Sequence, residues 1–178
     1  MSSAVKIRTA KPSEYRAVGE LLVKVYSQLE GFPNQNDQPE YYDLLLNVGQ
    51  LTANGCTHII VALDTANKII GAVVYFEDMQ YYGSGGTAPQ LKNASGFRLL
   101  AVDPISRGLG IGKLLCEACI NRSKNLGHKY LYIHSTESMK IARKMYERLG
   151  FHRYEPIDFK QGDLKVFGYR LHLKNKVF

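Results

Sequence analysis

The stretch that decides the fold runs Leu99-Leu-Ala-Val-Asp-Pro-Ile-Ser-Arg-Gly-Leu-Gly-Ile-Gly-Lys113. It starts inside the apolar run Phe97–Val102, which predicts a strand, and leads into Gly112–Leu126, which predicts a helix. Three alternating glycines stand between the two. Glycine lets the backbone approach a ligand closely, and the free N–H groups of a helix start attract anions. The stretch therefore predicts a strand, a phosphate-binding loop and a helix.

The kind of phosphate site can be narrowed by elimination. A Walker A loop requires a glycine five residues before Gly112, where this chain has Arg107, and a Ser or Thr where it has Leu114. A dinucleotide fingerprint requires a third small residue where Lys113 stands, and it normally lies in an early βαβ unit. A helix that merely follows a flexible turn would not need three glycines, because each lowers helix propensity by up to about 1 kcal/mol relative to Ala. The loop therefore fits neither nucleotide motif.

Hydrophobic periodicity and turn residues outside this stretch predict an α/β sandwich with a mixed sheet. The segment Glu77–Gly96 is rich in Gly, Ser and Asn and predicts a long loop, a kind that is often functional. On the helix after the glycines, we expect the inner side to carry Leu114, Leu115, Ala118 and Arg122. The other predicted strands are Val5–Thr9, Thr57–Leu63, Lys68–Phe76, Tyr130–His134, Phe151–Phe159 and Leu164–Leu173, and the other predicted helices begin near Pro12, Pro39 and Ser138.

Two motifs resemble the GNAT superfamily of N-acetyltransferases. The loop Arg107–Gly112 fits the signature Gln/Arg-x-x-Gly-x-Gly/Ala, and Ala142–Phe151 is similar to the segment Ala-x-x-x-Tyr-x-x-x-Gly-Phe. The resemblance implies a GNAT-like (acyl-CoA N-acyltransferase) fold, α/β, with a mixed central sheet, splayed central strands and flanking helices. It implies one domain over 1–178, with an acceptor-side half at 1–96, an acetyl-CoA-binding core at 97–159, and a closing strand and tail at 160–178.

The same resemblance implies the site residues. The amides of Gly108–Lys113 would bind the pyrophosphate of acetyl-CoA, the co-substrate, and Leu100 and Val102 would bond its pantetheine arm. Tyr146 would be the general acid that protonates the departing thiolate. The full set of expected acetyl-CoA contacts is Leu100, Ala101, Val102, Arg107, Gly108, Leu109, Gly110, Ile111, Gly112, Lys113, Ser135, Met139, Ala142 and Tyr146.

The chain departs from the family pattern at two points. Met139 stands where many relatives carry an Asn that contacts the cofactor, and Ser135 or Thr136 could replace that contact. No carboxylate lies in Asn93–Gly96, where the family often places its general base. Glu77 and Asp78 are the nearest acidic candidates, either as a base acting through water or as a solvated pair at a strand end. His134 is another candidate base.

Composition limits the remaining functions. From Ile105 onward the chain has 15 Lys and Arg against 6 Asp and Glu, whereas the preceding part has 8 against 10. The basic residues form no dense run, so we expect no nucleic-acid partner, and no apolar run approaches the ~20 residues of a membrane span. Few cysteines predict a cytoplasmic protein, Cys116 and Cys119 are expected to be buried apolar residues, and no histidine spacing predicts a metal site.

The predicted reaction is direct transfer of acetyl from acetyl-CoA to a primary amine, on either a small molecule or a peptide. The alternative is a sensor or pseudoenzyme that binds acetyl-CoA without turnover, and the missing carboxylate near Gly96 motivates it. A homodimer is a further expectation, because an exposed strand such as Leu164–Leu173 could pair between subunits.

Overall fold

A computed structural model describes residues 4–174 of the chain, so Met1–Ser3 and residues 175–178, the ends of the predicted first and last segments, lie outside the described residues. The fold is mixed α/β, with a mixed sheet and flanking helices. The strands are β1 (Lys6–Thr9), β2 (Thr57–Leu63), β3 (Ile69–Phe76), β4 (Ala94–Val102), β5 (Tyr130–Thr136), β6 (His152–Arg153), β7 (Phe159–Gln161) and β8 (Leu164–His172), and the helices are α1 (Tyr15–Ser27), α2 (Pro39–Leu46), α3 (Ile111–Asn125) and α4 (Lys140–Arg148).

The chain forms two compact units, each built from two separate segments. The first unit runs to Val74 and resumes over Leu99–Ala118, and the second comprises Tyr75–Arg98 and the chain from Cys119 onward. Strands β3 and β4 and helix α3 therefore each contribute residues to both units.

In the first unit, β1 pairs with β2 in antiparallel register, with Lys6 opposite Leu63. Helices α1 and α2 pack closely because α1 carries Gly19 where a side chain would collide with the carbonyl oxygen of Leu46. Gly71 of β3 likewise leaves room for the side chains of Ile111 and Leu115, which hold the first turns of α3 on the strand.

In the second unit, β5 pairs with β8 in antiparallel register along its whole length, and β8 also pairs with β6 and β7. β4 runs parallel to β5, with Ala94 opposite Tyr130 and Gly96 opposite Tyr132. This pairing ends at Tyr132, whereas β5 continues to Thr136.

Three predicted strand assignments need correction. The central strand begins at Ala94, inside the predicted loop. The strand predicted at Phe151–Phe159 breaks into β6, a 3₁₀ turn over Glu155–Ile157 and then β7, because Pro156 lacks the amide that a sheet ladder needs. The strand predicted as exposed at Leu164–Leu173 is not an edge, because β8 has paired neighbours on both sides.

The predicted inner face of the helix after the glycines is wrong by one residue. Leu114 is 38% exposed, whereas Leu115 is fully buried, and the buried stripe of α3 also contains Cys116 and Cys119, as expected for the two cysteines. The helix carries two adjacent rows of apolar residues, and sequence periodicity does not decide between rows that lie one residue apart. Within residues 4–174, no helix is long and apolar enough to cross a membrane.

Candidate active site

The glycine loop, Arg107–Gly112, lies in the first unit and exposes its backbone. Gly108 and Gly110 have φ of 81° and 76°, the left-handed region that other residues rarely adopt. An added Cβ at either position would meet no atom within 4 Å, so these glycines are required by backbone conformation and not by crowding. Helix α3 begins at Ile111, and its first-turn amides adjoin this open loop, an arrangement suited to an anion.

The charges beside the loop come from Arg107 and Lys113. Arg107 is exposed, and the Lys113 ammonium lies 3.8 Å from the Glu117 carboxylate one turn further along α3. An exposed ion pair of this kind is weak, so it leaves Lys113 available to a phosphate.

Strand β4 has a local irregularity at Leu99, a buried leucine with φ of 59°. A non-glycine residue in the left-handed region interrupts the regular ladder and turns the strand. The carbonyl of Leu100 follows directly and accepts a hydrogen bond of 3.4 Å from the Tyr26 hydroxyl. The predicted pantetheine contacts Leu100–Val102 thus lie immediately after a bulge in the strand.

Each unit carries a group of aromatic residues. In the first unit, the rings of Tyr26, Phe32 and Tyr41 lie within 5.4–6.3 Å of one another. In the second unit, Tyr81 is 37% exposed, while its neighbour Tyr82 is fully buried.

Tyr146, the predicted general acid, lies on α4 in the second unit and is 5% exposed. Its ring packs at 6.0 Å from that of Phe97 on β4 and at 5.9 Å from that of Phe151. Helix α4 ends at Arg148, and Gly150, just beyond its C-cap, has φ of 100° and leads into Phe151. The spacing Tyr-x-x-x-Gly-Phe therefore places the Tyr146 ring between two phenylalanine rings.

The three other predicted contacts on this side lie around the start of α4. Ser135 is buried at the end of β5, and its hydroxyl donates to the Met139 sulfur at 3.7 Å. Ala142 is half-buried on the first turns of α4. The Ser135 hydroxyl, expected to replace a polar cofactor contact, is thus engaged within the chain.

The acidic pair lies at the end of β3. Asp78 accepts hydrogen bonds from the backbone amide and the side-chain amide of Gln80, and these bonds lower its pKa. The charges of Glu77 and Asp78 both act on His128, whose pKa burial lowers. Among residues 4–174 no group of three or more His, Cys, Asp or Glu side chains is arranged to hold a metal ion.

His134 is tied at both ring nitrogens. Its Nε2 lies 2.7 Å from the Ile157 carbonyl oxygen, which only accepts, so Nε2 carries the proton, and Nδ1 accepts from the Tyr82 hydroxyl at 3.0 Å. Burial lowers the pKa of His134 to about 4, and the charge of Arg98 acts in the same direction. The ring is therefore neutral at pH 7, and neither nitrogen is placed to collect a proton from an acceptor.

Arg98 was not among the site residues predicted from sequence. Its Nη1 donates to the Tyr82 carbonyl oxygen at 2.8 Å, and its guanidinium lies 5.6 Å from the centre of the Tyr82 ring. Tyr82, Arg98 and His134 thus form one connected group, the Tyr82 assembly. The signal in the sequence was its position as a single cationic residue inside the apolar run Phe97–Val102.

Comparison with known proteins gives consistent matches. A sequence model of the acetyltransferase (GNAT) family matches residues 20–151. An uncharacterized N-acetyltransferase of Dictyostelium discoideum is 32% identical over 68 residues, which are 38% of this chain and only 32% of the relative. A GNAT-family acetyltransferase of Staphylococcus aureus Mu50 has a TM-score of 0.72 at 21% identity, covering 96% of this chain and all of that one. The yncA protein of Salmonella typhimurium, solved with its cofactor acetyl-CoA, has a TM-score of 0.68 at 17% identity, covering 99% and 98%.

Proposed function

Because this chain belongs to the acetyltransferase (GNAT) family, we propose that it transfers acetyl from acetyl-CoA to a primary amine by direct attack in a ternary complex. The observation that carries the proposal is the glycine loop, whose open, left-handed glycines directly precede the first turn of α3. The chain has the GNAT fold, and yncA, which shares that fold, was solved with acetyl-CoA.

The residues present fit acetyl-CoA. Gly108 and Gly110 leave space in which a pyrophosphate could meet the backbone amides of residues 108–113, and Arg107 and Lys113 add positive charge. The backbone of Leu100–Val102 would hold the pantetheine arm. When bound, acetyl-CoA supplies an activated acetyl thioester, and the protein contributes orientation and proton handling.

Within the second unit, the two faces of β4 carry different chemistry. The Phe97 ring contacts Tyr146, whereas the next side chain, Arg98, contacts Tyr82 on the opposite face. We propose that Tyr146 donates its phenol proton to the departing thiolate from the Phe97 face, and that the amine enters from the Arg98 face. Direct transfer requires no covalent enzyme intermediate.

For the base, we propose Glu77, acting through water on the acceptor ammonium. Its position at the end of β3 and its charge support this role, and Asp78 beside it accepts hydrogen bonds from Gln80. The acceptor would be a small-molecule or peptide amine met in the cytoplasm, without a nucleic-acid or membrane partner.

The decisive test replaces Tyr146 with Phe, which keeps the ring beside Phe97 and Phe151 and removes the hydroxyl group that would donate the proton. General acids contribute about 10²–10⁴-fold, so we expect kcat to fall by at least about 100-fold while the KM for acetyl-CoA stays within twofold. Thiol release over a broad amine library measures turnover, and mass analysis identifies the product. Binding of acetyl-CoA without thiol release from any amine would favour the sensor, and equal turnover by Y146F would remove Tyr146 from the mechanism.

A further inference from the structure

We infer that Arg98 binds an anionic group of the acceptor, so that the substrate is an amine bearing a carboxylate or phosphate, such as an α-amino acid. This inference rests on the proposed acetyl transfer and names the substrate class for it. The charge balance of residues 1–104, with more acidic than basic side chains, would have favoured a cationic acceptor, and the geometry around Arg98 points the other way.

Arg98 stands at a distinctive place in the strand. It directly precedes Leu99, where the backbone bulges, and Leu100–Val102, where acetyl-CoA is proposed to bind. Its side chain lies on the opposite face of β4 from Phe97 and Tyr146. An amine that enters from the Arg98 face, as proposed above, would bring its substituents beside the guanidinium.

The guanidinium is held in position by a chain of contacts. The Tyr82 carbonyl accepts from Nη1, the Tyr82 ring lies beneath the cation, and the Tyr82 hydroxyl bonds His134, which is fixed by the Ile157 carbonyl. Gly83 allows the loop to pass close, since a Cβ there would lie 3.3 Å from Nη1. Such an anchored guanidinium loses little further entropy on binding an oxyanion.

The charge of Arg98 is not neutralised within the chain. Among residues 4–174, Arg98 forms no ion pair, and one backbone carbonyl is its hydrogen-bond acceptor. Asp158, whose charge also reaches His134, is bound by Arg153 through two contacts of 2.8 Å and by the Gly168 amide at 2.6 Å. A guanidinium has five N–H donors in a planar fork that suits a carboxylate or phosphate. The half-exposed Arg98 side chain therefore retains donors and charge for an external anion.

The test compares acids with their neutral counterparts. Thiol release is measured with L-amino acids, with the corresponding carboxamides, with O-phosphoethanolamine and with spermidine, for the wild type, Arg98→Gln and Arg98→Lys. Arg170→Gln is the matched control, because Arg170 is also a half-exposed arginine stacked on tyrosine rings, at 4.6 Å from Tyr130 and 4.3 Å from Tyr154. The thermal midpoint and the KM for acetyl-CoA confirm that each variant is folded.

We expect the wild type to favour an anionic amine over its neutral analogue by about 10- to 100-fold in kcat/KM, the range for losing a hydrogen-bonded charge. The ratio of kcat/KM for the anionic amine to that for its neutral analogue should fall toward one in R98Q, recover in part in R98K and persist in R170Q. The comparison of L-amino acids with O-phosphoethanolamine shows whether the enzyme prefers a carboxylate or a phosphate. A wild-type preference for spermidine or carboxamides would overturn the inference and leave acetyl transfer intact, as would an unchanged preference in R98Q. No thiol release from any amine would instead overturn the proposed function. If R98Q does not fold, the acid-to-amide ratio of the wild type and of R98K decides.

Discussion

The glycine loop and the Tyr82 assembly are both proposed ligand sites, but they are built by opposite means. The loop is exposed, its Gly108 and Gly110 touch nothing, and its donors are backbone amides set by positive φ angles. In the assembly the Tyr82 ring is fully buried, and one arginine is positioned by side chains that are bonded to one another. A site made of backbone depends on a few dihedral angles, whereas a site made of side chains depends on the packing of distant segments.

The largest expected effect tests the buried network through pH. The pKa of His134 is about 4 in the folded chain and near 6.5 in the unfolded chain, so the unfolded state binds the proton more tightly. Its contribution to stability is therefore complete above pH 6.5 and is lost as the pH falls toward 4. We expect the wild type to lose about 3 kcal/mol from this group over that window, measured by urea unfolding.

His134→Gln should flatten that part of the pH dependence, and the exposed His152→Gln should leave it as in the wild type. If the wild type and H134Q lost the same unfolding free energy between pH 6.5 and pH 4, His134 would not be the source of this pH dependence.

A smaller effect tests the loop. Gly110→Ala forces a side chain to φ of 76°, and we expect the KM for acetyl-CoA to rise about tenfold. Gly55→Ala is the matched control, because Gly55 has the same φ of 76° and also has nothing within 4 Å of an added Cβ, but lies outside the loop. Both variants should lose about 1 kcal/mol of stability. An equal change in KM for G55A and G110A would assign the effect to stability alone.

The smallest effect concerns Glu77, which belongs to neither region. If it acts through water, Glu77→Gln should lower kcat/KM at pH 7 by about 3- to 10-fold, less than a directly contacting base would. Asp78→Asn is the neighbouring control, since Asn still offers an oxygen to the Gln80 amide. Thiol-release kinetics compare the two, and a loss in D78N as large as that in E77Q would remove Glu77 from the mechanism.

The loop could be predicted from sequence because glycine is the residue that most readily adopts the positive φ angles found there. The strand before it, the helix after it and the family were predicted on that basis, and the matched family model confirms the family. The motif singled out Tyr146 but did not predict its contacts with the rings of Phe97 and Phe151, because local sequence spacing does not specify which rings meet across strands.

The Tyr82 assembly was not readable, because Tyr82, Arg98, His134 and Ile157 are far apart in sequence and meet only through the sheet. His134 was noticed as a candidate base, but its burial and its two fixed nitrogens are properties of the packed state. The strand that Pro156 interrupts and the one-residue error in the buried face of α3 have the same origin: local pattern leaves open what tertiary contacts decide.

The interleaving of the two units along the chain has a consequence for synthesis. The first unit needs Leu99–Ala118, and the second needs both Tyr75–Arg98 and the chain after Cys119. A nascent chain that ends before residue 99 therefore contains neither unit, and its apolar strands stay exposed on the ribosome. We expect limited proteolysis of stalled chains to show protection only once residue 118 has left the exit tunnel, so the first unit is completed only after Tyr75–Arg98, a segment of the second unit, has been synthesised.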